Sequence, residues 1–239
     1  MSRTFAKLEG VTKCYGDGAR QACVLGPVDL EVASGEMTLV MGPSGSGKTT
    51  LLSILGLLLA PTEGRLSLAG EKVGDLPESR RAALRRRHVA FVFQHFNLLE
   101  SLTACENVRV GLVHAGLSGR KADRRSREIL GSLGLSGKED SLPRELSGGE
   151  MQRVGIARAI AMPGRLVLAD EPTAALDSVT GEAVMTTLAD LARREERAIV
   201  AVTHDPRWPP LAHRVLAIRD GRITHEERRE SSMPFSSAV

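Results

Sequence analysis

Residues 42 to 49 read Gly-Pro-Ser-Gly-Ser-Gly-Lys-Thr, directly after the apolar run Met37-Thr-Leu-Val-Met41 and directly before a helical pattern. A glycine-rich loop placed between a buried strand and a helix start is a phosphate-binding loop, and it commits the surrounding chain to an α/β arrangement. The glycines let the backbone curl so that successive N–H groups point at one centre, where they and the positive end of the following helix hold phosphate oxygens. Gly42, Pro43, Ser44, Gly45, Ser46, Gly47, Lys48, Thr49 and Thr50 are therefore candidate nucleotide-binding residues. Lys48 is expected to reach the outer phosphates and the Thr49 hydroxyl to ligate Mg²⁺.

With 239 residues and 42% apolar content, the chain has enough material for one large domain or for a core with an inserted subdomain. No apolar stretch approaches the roughly 20 residues that cross a bilayer. The longest, Leu51 to Ala60, is expected to be a helix packed beneath the loop. The chain reads as soluble by itself and without a signal peptide. Cys14, Cys23 and Cys105 are odd in number, far apart and lack C-x-x-C spacing. That pattern speaks against a disulfide framework and a zinc site, and fits a reducing cytoplasm. A net charge of +3 and 3% aromatic residues argue against direct nucleic-acid binding, which needs a basic footprint or stacking platforms. Two basic clusters, Arg80, Arg81, Arg85, Arg86 and Arg87, then Arg120, Lys121, Arg124, Arg125 and Arg127, read as solvated helix faces; the alternative is contact with anionic lipid or an acidic partner.

Short apolar runs, Val89-Ala-Phe-Val-Phe93, Leu166-Val-Leu-Ala169, Ala198-Ile-Val-Ala-Val202 and Val215-Leu-Ala-Ile218, read as strands buried on both faces and separated by helical patterns. The stretch from about Asn97 to Ala161 breaks that alternation as an inserted helical subdomain. Phe5-Ala-Lys-Leu8 and Val28-Asp-Leu-Glu-Val32 predict antiparallel strands flanking the parallel sheet. The expected division is a single domain over 1–230, with a nucleotide-binding core at about 1–94 and 162–226, a helical subdomain at about 95–161 and a disordered tail at 231–239.

Leu166-Val-Leu-Ala-Asp170-Glu171 ends an apolar run in two acids. Asp170 at a strand mouth suits Mg²⁺, and Glu171 beside it suits proton abstraction from an attacking water. Leu146-Ser-Gly-Gly-Glu150, followed by Met-Gln-Arg and a helical pattern, is a second anion-binding helix start in which Ser147, Gly148 and Gly149 can approach a phosphate. This segment resembles the signature motif of the ATP-binding-cassette (ABC) ATPases and stands, as theirs does, just upstream of the strand that ends in acid. The resemblance implies that two copies face head to tail, each nucleotide lying between the phosphate loop of one and the signature of the other.

Further positions match that family in order over residues 4 to 226. Tyr15 stands where the family has an aromatic ring stacked on adenine. Gln94 looks like the loop glutamine that touches Mg²⁺ or water, Ala174-Ala-Leu-Asp177 like the loop crossing the dimer interface, and His204 like the switch histidine at the γ-phosphate. Glu150 departs from the family's usual Gln. The expected fold is thus the α/β phosphate-loop core with a mainly parallel sheet, an N-terminal antiparallel β subdomain and an inserted helical subdomain. The block Phe93 to Val108 together with Asp170 to Asp177 is similar to the lipoprotein-releasing, macrolide-exporting and heterocyst-glycolipid-exporting group. That similarity implies an ATPase with ATP and Mg²⁺, acting as a homodimer on the cytoplasmic face of the membrane. A separate permease subunit would export or extract a lipid, lipoprotein, peptide or drug-like substrate, with Phe96, Leu98 and Leu99 as candidate contacts. Regulation of a cell-wall hydrolase through a membrane partner, or a soluble cassette acting on nucleic acid or ribosomes, are the alternatives.

Overall fold

The computed structural model describes residues 4–16, 20–74 and 76–229, so the expected tail at 231–239 lies outside the described residues. Two sheets carry the fold. The parallel run β3 (Met37–Met41), β6 (Val89–Val92), β7 (Leu166–Asp170), β8 (Ala198–Thr203) and β9 (Arg214–Arg219) belongs to a six-stranded sheet in the order β10-β9-β3-β8-β7-β6, with β10 (Arg222–Arg228) antiparallel at its edge. The second sheet is antiparallel, β2-β1-β4-β5, built from β1 (Thr4–Tyr15), β2 (Ala22–Ala33), β4 (Glu63–Leu68) and β5 (Glu71–Lys72). The expected β1 and β2 are present; β4 and β5, too short and polar to announce themselves, complete their sheet.

Alternation along each buried strand decides which layer it serves. Val200 and Val202 of β8 and Leu168 of β7 meet Leu51 and Leu55 of α1 (Lys48–Leu55) together with Leu8 and Leu30 of the antiparallel sheet. The intervening Ile199, Ala201, Val167 and Ala169 face the other way. They pack against Val154 and Ile156 of α5 (Gly148–Ala161) and Val184 and Leu188 of α6 (Ser178–Glu195). Strands β3, β7 and β8 are accordingly apolar on both faces, as expected. In β9, however, Val215 and Ala217 are only half-buried.

Helix α1 is shorter than the apolar run suggested. It stops at Leu55 because Gly56 is pressed against the Phe91 ring and Leu168, and Leu57 then takes a left-handed φ of 59°. Between β6 and β7 the chain forms α3 (Ala104–His114), α4 (Gly119–Ser132) and α5, which share one apolar cluster. The basic clusters lie on α2 (Glu78–His88) and on α4, where several arginines are ion-paired, Arg81 with Glu78 at 2.9 Å and Arg127 with Asp140 at 2.6 Å. Among the described residues no helix is long and apolar enough to cross a membrane.

The cysteines correct an expectation. Cys14 and Cys23 sit opposite each other in the register of β1 and β2 and are joined by a disulfide, while Cys105 is a buried free thiol. Nine positions of sequence separation conceal a cross-strand pair, since only the hairpin register makes the two residues neighbours.

Candidate functional site

The parallel strands deliver their chemistry at one end. The loops following the C-terminal ends of β3, β6, β7 and β8 line a cleft of about 630 Å³, whose walls include Lys48, Thr49, Gln94, Asp170, Glu171 and His204. A crevice outside the carboxyl ends of a parallel sheet is where such folds bind ligands.

Gly47 makes the turn from loop into helix. It caps α1 with a φ of 97°, and a Cβ there would sit 2.7 Å from the Val24 carbonyl oxygen, so only glycine fits. The Lys48 ammonium, almost wholly buried, donates hydrogen bonds to the Gly42 and Pro43 carbonyls at 2.8 Å each. Its charge is thereby held over the loop. The Ser46 hydroxyl is buried and has no hydrogen-bond partner among the described residues, an unmet polar group in the same cradle. Such a cradle of loop N–H groups, one buried ammonium and one unsatisfied hydroxyl fits a polyphosphate.

Across the cleft, the Thr49 hydroxyl donates to Asp170 Oδ1 at 3.4 Å. Burial pushes the Asp170 carboxyl above the ordinary carboxylate range; the Thr49 bond opposes that shift and the neighbouring Glu171 charge adds to it. A hydroxyl beside a carboxylate that is short of positive charge is an oxygen donor set suited to Mg²⁺. Glu171 has a left-handed φ of 45°, unusual for a residue with a side chain, and its N–H donates to the Val202 carbonyl at 3.0 Å. That twist accompanies a contact between Glu171 Oε1 and His204 Nδ1 at 2.9 Å. The Glu171 side chain is 14% exposed and that of His204 71% exposed, so the pair runs from the cleft wall to its open rim.

Not every expected residue lies there. Tyr15 stands outside the cleft lining, 47% exposed, with the Lys13 ammonium 5.1 Å from its ring centroid; Val24 of the adjoining strand does line the cleft. Ser147, Gly148, Gly149 and Asp177 are also absent from the lining. Ser147 and Glu150 close a capping box at the start of α5, Ser147 N–H donating to Glu150 Oε2 at 2.7 Å and Glu150 N–H to Ser147 Oγ at 3.3 Å. The departure to Glu is thus absorbed as a helix cap. Asp177 caps α6, accepting the Thr180 N–H at 3.0 Å, and that backbone bond holds its carboxyl below the usual range.

Residues 25–174 match the family model described as ABC transporter. The chain belongs to the ABC transporter family. The macrolide export ATP-binding/permease protein MacB of Salmonella typhimurium (strain LT2) is 45% identical over 232 residues, and that of Chromobacterium violaceum 44% identical over 239 residues. These alignments cover 95% and 100% of this chain but 36% of each relative, so the chain spans about a third of their length. A dimeric post-hydrolysis structure of the ATP-binding cassette MJ0796 bound to ADP and Pi superposes with a TM-score of 0.88 at 40% identity, covering 93% of this chain and 98% of that one. The fold is that of an ABC ATPase.

Within this cassette fold, three side chains to which the sequence pattern assigns no role tie the functional loops together. Arg158 of α5 donates to the Phe96 and Asn97 carbonyls, just beyond Gln94. Buried Gln152, also on α5, donates to the Pro172 carbonyl at 3.0 Å, just beyond Glu171. Trp208 donates its indole N–H to Thr173 Oγ1 at 3.1 Å. A charged residue in a helix ordinarily reads as a solvated face, and only the packing direction reveals Arg158. Of the candidate partner contacts, Leu99 is 47% exposed, whereas Leu98 packs against the helical cluster.

Proposed function

We propose that this chain is the ATP-hydrolysing subunit of an ABC transporter. Two copies close head to tail around two ATP-Mg²⁺ and drive export or extraction by a separate membrane subunit, from its cytoplasmic face. The observation that carries this reading is the partition of the anion-binding devices. The phosphate loop, Asp170, Glu171, Gln94 and His204 share one cleft, while the Ser147-Gly149 helix start lies off it on the same chain. A second copy would bring its own signature to that cleft.

Lys48 and the loop N–H groups would bind and orient the phosphates, with Tyr15 available at the adenine end. Thr49 and Asp170, with Gln94 at the same rim, would hold the metal. When bound, Mg²⁺ supplies positive charge to the phosphate oxygens and eases departure of the diphosphate. Glu171 Oε2 is left free by the contact of Oε1 with His204 and can accept a proton from the attacking water. His204, exposed and adjacent, contacts that carboxylate and would reach the terminal phosphate. Little covalent chemistry falls to the protein, so positioning and charge supply most of the effect. The MacB relatives are named for macrolide export. The lipid, lipoprotein, peptide or drug-like class stands as the proposed cargo, and its choice rests with the membrane subunit.

Light scattering coupled to size exclusion on Glu171→Gln tests the proposal. Mg-ATP is expected to convert a monomer to a dimer with turnover abolished. A Glu171→Gln protein hydrolysing near the native rate would remove Glu171 from its role.

A further inference from the structure

The signature helix α5 touches both loops that carry the cleft's reacting groups. At its start, the Phe96 ring and Leu176 lie close by, within 3.8 Å and 3.5 Å of the Cβ positions of Gly148 and Gly149. One turn on, Gln152 bonds the carbonyl of Pro172, the residue after Glu171. Further along, Gly155 sits close under the Phe96 carbonyl oxygen, with its Cβ position 3.5 Å away. Arg158 then closes the contact, Nη1 donating to the Asn97 oxygen at 2.6 Å and Nη2 to the Phe96 oxygen at 3.1 Å.

The geometry at Phe96 and Asn97 makes that fork informative. Both have left-handed φ values, 58° and 47°; asparagine tolerates that conformation, but a bulky residue such as Phe96 holds it only when its surroundings impose it. The two carbonyls so presented are captured together by one planar guanidinium. Arg158 forms no ion pair within 4.0 Å among the described residues, and burial alone lowers its pKa. A cation partly withdrawn from water and given to two backbone carbonyls instead of a carboxylate is serving geometry.

We infer that Arg158 and Gln152 are positioning residues that lock the signature helix to the loops bearing Gln94 and Glu171. This rests on the two-copy reading, in which each nucleotide then senses the other through α5. The start of α5 faces the partner copy's nucleotide, and its flank holds the loops that serve its own. Seating a phosphate on Ser147-Gly149 moves α5, and Arg158 and Gln152 pass that movement to Gln94 and Glu171.

Arg158→Met keeps an unbranched apolar stem and removes the guanidinium fork, while Arg158→Lys keeps the charge and a single donor atom. In wild-type protein, ATP hydrolysis is expected to show a Hill coefficient approaching about 2, the number of sites. Arg158→Met should lower kcat at least about tenfold and bring the Hill coefficient toward 1, with nucleotide affinity of the monomer changed less than about twofold. Arg158→Lys should fall between. Gln152→Leu, which leaves Arg158 in place, should show the same split and serves if Arg158→Met does not fold. A cooperative wild type, with Arg158→Met and Gln152→Leu matching it in kcat and Hill coefficient and differing only in melting temperature, would reduce both residues to struts and overturn the inference alone. A wild type that hydrolyses ATP with a Hill coefficient of 1 and never dimerises would remove the two-copy reading and the inference together.

Discussion

Nδ1 of His204 lies 2.9 Å from Oε1 of Glu171, joining the residue after β8 to the residue after β7 across neighbouring strand ends. The contact engages one carboxylate oxygen of a residue that lines the cleft. His204→Ala should therefore lower kcat by about 10²-fold, the scale of a misplaced proton acceptor, while ATP binding changes little. Steady-state hydrolysis beside equilibrium dialysis of nucleotide separates these effects. A matching loss of binding would place His204 in ground-state recognition instead.

Asp170 is held in conflict with its surroundings, since burial and the adjacent Glu171 both disfavour its charge. A carboxyl whose folded pKa is raised contributes most below its unfolded value, near 3.9, and that contribution is lost as pH rises through the folded value. In its ionised form the group carries a burden that a bound divalent cation would relieve. Asp170→Asn should raise the melting temperature of the metal-free protein by roughly 1–3 °C and abolish Mg²⁺-dependent hydrolysis. Differential scanning fluorimetry with and without Mg-ATP gives both readings; an Asn variant less stable than wild type contradicts the first.

Glu150 carries the opposite sign. Its bond with the Ser147 backbone, followed by contact with Lys138 at 3.3 Å, holds its carboxyl below the ordinary value. Such a group stabilises above its unfolded pKa, about 4.3, and the benefit disappears as pH falls through the depressed folded value. Glu150→Gln keeps the cap hydrogen bond but loses the charge at the helix start. It should cost about 0.5 kcal/mol at pH 7, or about 1–2 °C, with the difference from wild type closing below about pH 4. Thermal melts over pH 3 to 8 test the crossing.

The Cys14–Cys23 bridge joins β1 to β2 one residue before Val24, which lines the cleft. Thiol titration of denatured, unreduced protein should find one thiol per chain, Cys105, and three after reduction. Reduction should lower the melting temperature by several degrees, since closing a short loop is worth at most about 3 kcal/mol. Three thiols before reduction would remove the bridge.

The residues legible in the sequence share a reason. Lys48, Asp170 and His204 each stand within a few positions of an apolar run, and a buried parallel strand carries the residues after it to one end of the sheet. The features that stayed hidden depend on the register or facing of distant segments. Cys14 meets Cys23 only through hairpin register. The end of α1 at Leu55 depends on Phe91, thirty-five residues beyond Gly56. Arg158 and Gln152 matter through carbonyls in other loops, and a carbonyl leaves no mark in a sequence of side chains. Glu171 was legible as an acid beside Asp170, but not its left-handed backbone.

Trp208 is the only tryptophan in the chain, buried, and its indole N–H is bonded to Thr173, two residues from Glu171. The protein thereby contains a native fluorophore hydrogen-bonded to the loop that carries Glu171 in the cleft wall. Its emission can be followed in a stopped-flow instrument without labels, so the order of binding, closure and release becomes a matter of comparing time constants in unmodified protein.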